Sequence, residues 1–220
     1  MTTFNSFERD LARKGVKRIR HAEVNLDPIF TFINGLKSND HLHLLDLTQK
    51  MCWLLVVCGF LRPDDIACID LNESRMADTK LELSILLPKE LRQQQRIRKT
   101  VVILPHPNPM YCPVAAFQEH YRRIAHALVL VPHYKDPEQL FIPLVRNLRN
   151  LKQAVTVDRI NNHLRHYLEM IPRPPGAPRL KARAIGATRA LMKGVSVEDV
   201  MIQGNWSSPA IVDSFYRMSR

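Results

Sequence analysis

The sequence has few cysteines, and their arrangement is not one that binds metal. Its four cysteines, Cys52, Cys58, Cys68 and Cys112, form no CxxC pair, and the nine histidines are not spaced as metal ligands. We therefore predict no metal site and no cofactor. Because nothing else in the sequence indicates an oxidising compartment, we expect the cysteines to be reduced thiols in the core.

Long hydrophobic runs are missing as well. The longest, residues 51–61, is far shorter than the roughly 20 residues that span a bilayer, so it predicts a buried helix and no membrane association. Residues 1–22 carry six Lys or Arg but lack the apolar stretch of a secretory signal. We expect an intracellular protein, and a nuclear one if the host is eukaryotic. No internal repeat or low-complexity tract is visible.

What the sequence has in excess is positive charge. Its 32 Lys and Arg against 21 Asp and Glu give a net charge of +11, which favours a polyanionic partner. Residues 173–193 hold six basic side chains and no acid. A phosphate backbone would explain such a run. An RNA-binding helical protein is one alternative, although no aromatic ribonucleoprotein motif supports it.

The hydrophobic pattern predicts a mainly α-helical α+β fold with a small antiparallel β-hairpin or sheet. Apolar residues at three- and four-residue intervals predict helices over 26–37 and 44–61, the second capped by Asp46 or Thr48, and further helices over 114–128 and 155–171. Pro63 opens another helix over 64–71. Alternating runs at 79–89 and 99–105 predict the hairpin, and 136–144 resembles a connection.

The C-terminal residues predict three short helices in succession. We expect the first over 182–192, stopped by Gly194, because glycine commonly follows a helix end. Ser196 followed by Asp199 fits a capping box for the second. Ser208 with Pro209 begins the third.

These C-terminal segments resemble the catalytic end of a tyrosine recombinase, or integrase. They read KARAIGATRALMKG, VSVEDVMIQGNW and SSPAIVDSFYR, with 23 residues from Arg183 to Trp206 and 10 from Trp206 to Tyr216. The chain is most similar to integrases of Crypton and DIRS-like mobile elements. The resemblance implies a tyrosine-recombinase catalytic domain over 27–220, preceded at 1–26 by a basic arm or the remnant of a DNA-clamping domain. It also implies double-stranded DNA as the partner.

The resemblance also implies a set of catalytic residues. GFLRPDDIACIDL resembles the first arginine box of the family, which makes Arg62 the first catalytic arginine and Asp65 its supporting acid. Arg183 matches the second arginine. Trp206 stands at the position used by His or Trp, where an indole N–H can donate to a phosphate oxygen.

The nucleophile is expected at the FY pair near the end of the sequence. Some branches of the family place the tyrosine nine residues after the Trp position and others ten, and the DIRS-like branch has FY there. Tyr216 is therefore the expected nucleophile, and Phe215 occupies the nine-residue position. If nine residues were required, the chain would have no nucleophile.

The catalytic lysine has two candidates. The family places it on the turn between its second and third strands, where Lys89 ends the first run of the hairpin and Lys99 begins the second. Basic side chains crowd this turn, so it also fits nonspecific DNA contact. The predicted DNA-binding set is Arg92, Arg96, Arg98, Lys99, Lys181 and Arg189.

One catalytic position departs from the family pattern. A histidine usually stands three residues before the second arginine, and Leu180 stands there in this chain. Leucine can neither donate to a phosphate oxygen nor move a proton, and Lys181 is one position off. This departure predicts reduced activity.

Two functions follow from these features. The first is an enzyme that breaks and rejoins DNA through a 3′-phosphotyrosyl intermediate, with a role in the integration of a mobile element. The second is an inactive, domesticated or truncated DNA-binding module of the same fold. Only about 26 residues precede the region of resemblance, and Arg220 lies four residues after Tyr216. Self-association on DNA stays open, whereas the usual tetramer is not expected.

Overall fold

The fold is organised around one long buried helix, which other helices surround and a small antiparallel sheet flanks. The computed structural model describes residues 24–77, 79–88, 91–92, 95–96, 98–177 and 179–213. Most of the predicted N-terminal arm, residues 1–23, lies outside this part of the chain. Of the arm's last residues, Leu26 is buried in the core and Val24 packs against it.

Along the described part of the chain, three α-helices are followed by five strands, one α-helix, four strands and four α-helices. The described α-helices are α1 (Asp27–Asn34), α2 (Leu44–Gly59), α3 (Pro63–Ala67), α4 (Pro113–Ile124), α5 (Val157–Leu168), α6 (Ala182–Met192), α7 (Val197–Gly204) and α8 (Pro209–Ile211). The described strands are β1 (Ile69–Ala77), β2 (Lys80–Ile85), β3 (Leu91–Arg92), β4 (Gln95–Arg96), β5 (Lys99–Ile103), β6 (Val131–His133), β7 (Asp136–Phe141), β8 (Arg146–Asn147) and β9 (Asn150–Ala154).

Helix α2 forms the centre of the core. Its apolar residues face inward on nearly every side, and Leu47, Met51 and Leu55 are fully buried. Trp53 stacks on Tyr167 of α5 with ring centroids 5.2 Å apart. Because α4, α5 and α6 all pack against α2, the buried helix predicted from the apolar run is confirmed.

The predicted hairpin is confirmed and belongs to a sheet of three strands. Strands β2 and β5 pair antiparallel, with Leu81 opposite Ile103 and Ile85 opposite Lys99. Strand β1 pairs along the other edge of β2, which gives the order β1-β2-β5. Leu81 and Ile85 are fully buried, as their alternation predicts.

Two predicted segments have a different structure. The helix predicted over 64–71 ends at Ala67, because Ile69 already pairs with Ile85 in the sheet. Part of the expected connection 136–144 is strand β7, which pairs with β6. Periodicity could not show either result, because both depend on pairing with residues distant in sequence.

Two smaller predictions were also wrong. Helix α2 begins at Leu44 after His43, so Asp46 lies in its first turn, and the Thr48 hydroxyl donates to the Leu44 carbonyl oxygen at 2.6 Å. Neither Asp46 nor Thr48 is therefore its cap. Cys58 is exposed, whereas the other three cysteines are buried as expected.

The three C-terminal helices begin at the predicted positions, and Ser196 caps the second of them. Helix α6 spans Ala182–Met192 and is followed by Gly194, which adopts a left-handed φ of 86°. The Ser196 hydroxyl accepts the Asp199 backbone N–H at 3.0 Å, as a capping residue should. Pro63 and Pro209 both occupy the first turn of their helices.

No helix in the described part of the chain is long and apolar enough to cross a membrane.

Two histidines are buried in the core, which the sequence did not indicate. His120 on α4 is 1% exposed and His163 on α5 is 4% exposed. Burial lowers the pKa of each imidazole to about 4, and nearby cationic groups, Arg123 for His120 and Arg159 for His163, lower it further. Both side chains are therefore neutral in the folded protein at pH 7.

These two histidines predict that the protein loses stability in mild acid. Their pKa is about 4 when folded and about 6.5 when unfolded, so the unfolded chain binds more protons as the pH falls through that window. Stability is complete above pH 6.5 and decreases toward pH 4. We expect each histidine to remove about 2 kcal/mol of unfolding free energy between pH 7 and pH 5, measured by urea denaturation.

A matched pair of variants checks this assignment. His120→Phe should make the loss between pH 7 and pH 5 smaller, whereas the same change at the exposed His126 should leave it unaltered. Equal pH dependence in the two variants would contradict it.

Candidate active site

The site forms where helix α6 crosses the end of helix α2. Gly186 in α6 lies so close to α2 that a Cβ atom there would sit well inside van der Waals contact with the carbonyl oxygen of Val57. Only glycine permits this approach without moving one of the backbones. The first turns of α6 are thereby placed against the last turns of α2.

Arg183 lies in the first turn of α6, one turn before Gly186. Its side chain is 5% exposed, and its Nη2 donates a hydrogen bond to the Gly204 carbonyl oxygen. The guanidinium carbon lies 4.5 Å from the centre of the Trp206 ring, a distance at which cation–π attraction is significant. These contacts with residues at the end of α7 fix the guanidinium in one place.

Trp206 is the centre of a small second core. Its ring stacks on Phe60 with centroids 5.9 Å apart, and it covers Gly204 so closely that a Cβ atom there would clash with the indole. This second core consists of Phe60, Ala187, Val200, Trp206 and Val212. The tryptophan therefore has a packing role whether or not it also binds a ligand.

Phe60 connects this second core to Arg62. It follows α2 with a left-handed φ of 49°, which turns the chain sharply before α3 begins. Phe60 stacks on Trp206, which also contacts Arg183, and Arg62 follows Phe60 by two residues at the start of α3. Chain continuity therefore brings the backbone of Arg62 near the Arg183–Trp206 pair.

Arg62 and Asp65 meet at the start of α3. Arg62 is the N-cap of this helix, and its backbone N–H donates to Asp65 Oδ2 at 2.9 Å. Asp65 is fully buried, and the same oxygen lies 3.8 Å from Lys99 Nζ. Asp65 therefore holds the helix start that carries the backbone of Arg62.

Lys99 is also almost fully buried, at 7% exposure. This burial differs from the exposed position expected of a DNA contact, and Asp65 lies within ion-pair distance of the buried amine. It lies at the start of β5, opposite Ile85 of β2. The other lysine candidate, Lys89, lies outside the described residues.

The remaining basic candidates differ in their surroundings. Arg98 is exposed and pairs with Glu73 at 3.0 Å, Lys181 is exposed at the N-cap of α6, and Arg189 is half-buried in its last turn. Arg92 and Arg96 belong to the strand pair β3–β4, and their side chains are not among those described.

The nucleophile candidate Tyr216 and its neighbour Phe215 lie beyond residue 213, outside the described part of the chain. Leu180 is described: it is partly buried and packs against the main core. Its side chain fills apolar space where the family pattern has a histidine.

A polar network beside α3 was not found from the sequence. Lys135 Nζ donates to Asp64 Oδ2 at 2.6 Å, and the Tyr134 hydroxyl donates to Asp64 Oδ1. Burial raises the pKa of Asp64, but the hydrogen bonds from Lys135 and Tyr134 outweigh it and hold the pKa below its usual value. No periodicity pairs residues 71 positions apart, so no sequence signal pointed to this network.

A further contact ties α7 to the sheet. Gln203 Nε2 donates to the Val102 carbonyl oxygen of β5 at 3.0 Å. The helix that precedes Trp206 is thus held against the strand that begins with Lys99.

The arrangement offers cationic and N–H donors. Among the residues that the structure describes, no three His, Cys, Asp or Glu side chains form a group that could hold a metal ion. Arginine presents planar forked donors that match the oxygens of a phosphate group. The neighbourhood of Arg62 and Arg183 is therefore suited to a phosphodiester.

The comparisons with known proteins define the class of fold. No protein-family model and no curated protein sequence matches the chain. Solved structures do match, and they show that the fold is that of the catalytic domain of tyrosine recombinases, mainly helical with small antiparallel sheets.

Three of these structures are site-specific recombinases or integrases. XerH recombinase, in a post-cleavage complex with a palindromic difH substrate, has a TM-score of 0.55 and 13% identity over 87% of this chain and 48% of its own. A lambda integrase tetramer bound to a Holliday junction has a TM-score of 0.53 and 12% identity, over 98% of this chain and 57% of its own. A lambda integrase dimer bound to a COC′ core site has a TM-score of 0.52 and 12% identity, over 97% of this chain and 69% of its own.

This likeness is one of fold, since the identities are 12–13%. The chain spans about half the length of the XerH and tetrameric lambda integrase chains that it matches.

The close helix crossing predicts that Gly186 is intolerant of even the smallest side chain. Gly186→Ala should lower the unfolding free energy by about 1 to 3 kcal/mol, because α2 and α6 must separate to admit the methyl group. The control is Gly35→Ala, where the added Cβ would meet only carbonyl oxygens at an ordinary 3.5 Å. Urea denaturation measures both. Equal effects would contradict the close approach of α6 to Val57.

Proposed function

We propose that the chain is a tyrosine recombinase that cuts and rejoins double-stranded DNA. One observation carries the proposal: on this fold Arg183 packs against Trp206, which stacks on Phe60, two residues before Arg62. The similar structures are recombinases in complex with DNA substrates, which supports DNA as the partner. The net charge of +11 supports it as well. A role in the integration of a mobile element, in the manner of Crypton and DIRS-like integrases, is the finer form of the proposal.

The reaction would begin with Tyr216. Its phenolic oxygen attacks the scissile phosphorus, forms a 3′-phosphotyrosyl ester and displaces the 5′ oxygen of the next nucleotide. The tyrosine proton is lost and the leaving oxygen gains one, so the products are the covalent adduct and a free 5′ hydroxyl. Attack by a 5′ hydroxyl reverses these steps and rejoins a strand. Each step exchanges one phosphate ester bond for another, so no external energy source is needed.

Arg62 and Arg183 would stabilise the transition state. Negative charge grows on the nonbridging oxygens as the phosphorus becomes five-coordinate, and fixed donors meet that charge best when they need not reorganise. The stacking of Arg183 on Trp206 and its bond to the Gly204 carbonyl supply such rigidity. The Trp206 indole N–H would be a third donor.

Lys89 would protonate the leaving 5′ oxygen. The burial of Lys99 and its pairing with Asp65 favour a supporting role for that residue, behind Arg62. Exposed Arg98 and Lys181, with Arg189, would contact the DNA backbone, and so would Arg92 and Arg96.

The competing candidate is an inactive DNA-binding module of the same fold. Leu180 favours it, because its side chain packs against the hydrophobic core and offers no donor to a phosphate. Both candidates predict DNA binding that weakens as salt is added. Only the recombinase forms a covalent bond to DNA.

We expect the protein to form a covalent adduct with DNA. A pool of labelled, nicked duplexes, in which cleavage releases a short fragment and traps the enzyme, should give protein-linked label on a denaturing gel. Tyr216→Phe should abolish the adduct, and Tyr121→Phe, a tyrosine of α4 outside the site, should preserve it. DNA binding without adduct across the pool would favour the inactive module.

Restoring a histidine at position 180 should increase cleavage. Losing one preorganised donor commonly lowers the rate by about a hundredfold, so Leu180→His should raise adduct formation by up to that factor. Leu180→Gln is the matched variant, because its amide can donate a hydrogen bond but cannot transfer a proton. If neither variant exceeds the unchanged chain, Leu180 does not account for reduced activity.

A further inference from the structure

Residues at the tip of the β6–β7 hairpin form hydrogen bonds with the short helix that follows Arg62. Lys135 Nζ donates both to Asp64 Oδ2 at 2.6 Å and to the Leu87 carbonyl oxygen at 2.9 Å. The Tyr134 hydroxyl donates to the other oxygen of Asp64 and lies 3.5 Å from Cys68 Sγ. Two neighbouring residues of the hairpin thus hold one carboxylate and the end of β2.

The position of Asp64 gives these contacts their importance. It is the second residue of α3, and Arg62 is the N-cap of the same helix. Because α3 has only five residues, fixing its first turn fixes nearly the whole helix. The location of the Arg62 backbone therefore depends on what holds Asp64.

The ion pair is partly shielded from solvent. The Lys135 side chain is 17% exposed and that of Asp64 is 26% exposed, so the charges are screened less than in a surface pair. The pKa of Asp64 lies below its usual value, which keeps the carboxylate charged at neutral pH. Lys135 Nζ also donates to the Leu87 carbonyl oxygen, so the lysine links α3 to the segment that follows β2.

We infer that Lys135, assisted by Tyr134, is a positioning residue that holds Arg62 in place for the scissile phosphate. This inference rests on the proposed function and extends it to a pair of residues outside the site. Lys135 acts through Asp64 and the first turn of α3, and it need not touch the substrate. Its removal should therefore matter only while Arg62 is present.

A double-mutant cycle tests this dependence. The unchanged chain, Lys135→Met, Arg62→Ala and the double variant are compared for the rate of adduct formation on the nicked duplex pool. Methionine matches the aliphatic part of the lysine side chain but carries no ammonium group and donates no hydrogen bond. We expect Lys135→Met to slow the reaction by about tenfold to a hundredfold, as small misplacements of a catalytic group do. In the Arg62→Ala background it should have little further effect.

Companion variants separate positioning from stability and from general loss of charge. Lys135→Arg keeps the donors and should restore most of the rate. Tyr134→Phe, which removes one of the hydrogen bonds to Asp64, should cause a smaller loss. Lys152→Met neutralises an exposed lysine of β9 and should leave the rate unchanged. Urea denaturation of each variant shows whether it is folded under the conditions of the assay.

The outcomes distinguish this inference from the proposed function. Losses that multiply independently in the double variant, or a Lys135→Met rate equal to that of the unchanged chain, overturn the inference alone. If the unchanged chain binds DNA without forming an adduct, the same cycle is measured on affinity for the pool, and a coupled loss still supports positioning of Arg62. Absence of both binding and adduct overturns the proposed function and this inference with it.

Discussion

The close contact of Gly186 with the Val57 carbonyl oxygen is the constraint on which the rest of the site depends. It brings the backbones of α2 and α6 together without an intervening side chain, as only glycine allows. The last turns of α2 lead through Phe60 into Arg62, and the first turn of α6 carries Arg183. A wider crossing would separate the two arginines and leave Trp206 without one of its stacking partners.

The second core turns this crossing into a rigid unit. Trp206 stacks on Phe60, contacts the guanidinium of Arg183 and covers Gly204. Packing an aromatic ring against the guanidinium orders that cation through cation–π attraction. The hydrogen bond from Arg183 Nη2 to the Gly204 carbonyl oxygen fixes it further.

Helix α3 shows the opposite arrangement, with acids holding the backbone. Five residues form little stable helix by themselves, so tertiary contacts must fix it. Asp65 binds the Arg62 N–H and faces Lys99, and Asp64 binds Lys135. The carboxylates of Asp64 and Asp65 thus hold the short helix that begins after Arg62.

Sequence patterns alone determined the buried helix α2, the β2–β5 pairing, the bounds of α6 and the resemblance that selected Arg62, Asp65, Arg183 and Trp206, because periodicity, caps and short motifs are local. Tertiary structure decided the length of α3, the existence of β7, the burial of Lys99 and the grip of Lys135 on Asp64. Each of those depends on contacts between residues far apart in the chain, which a local pattern cannot encode.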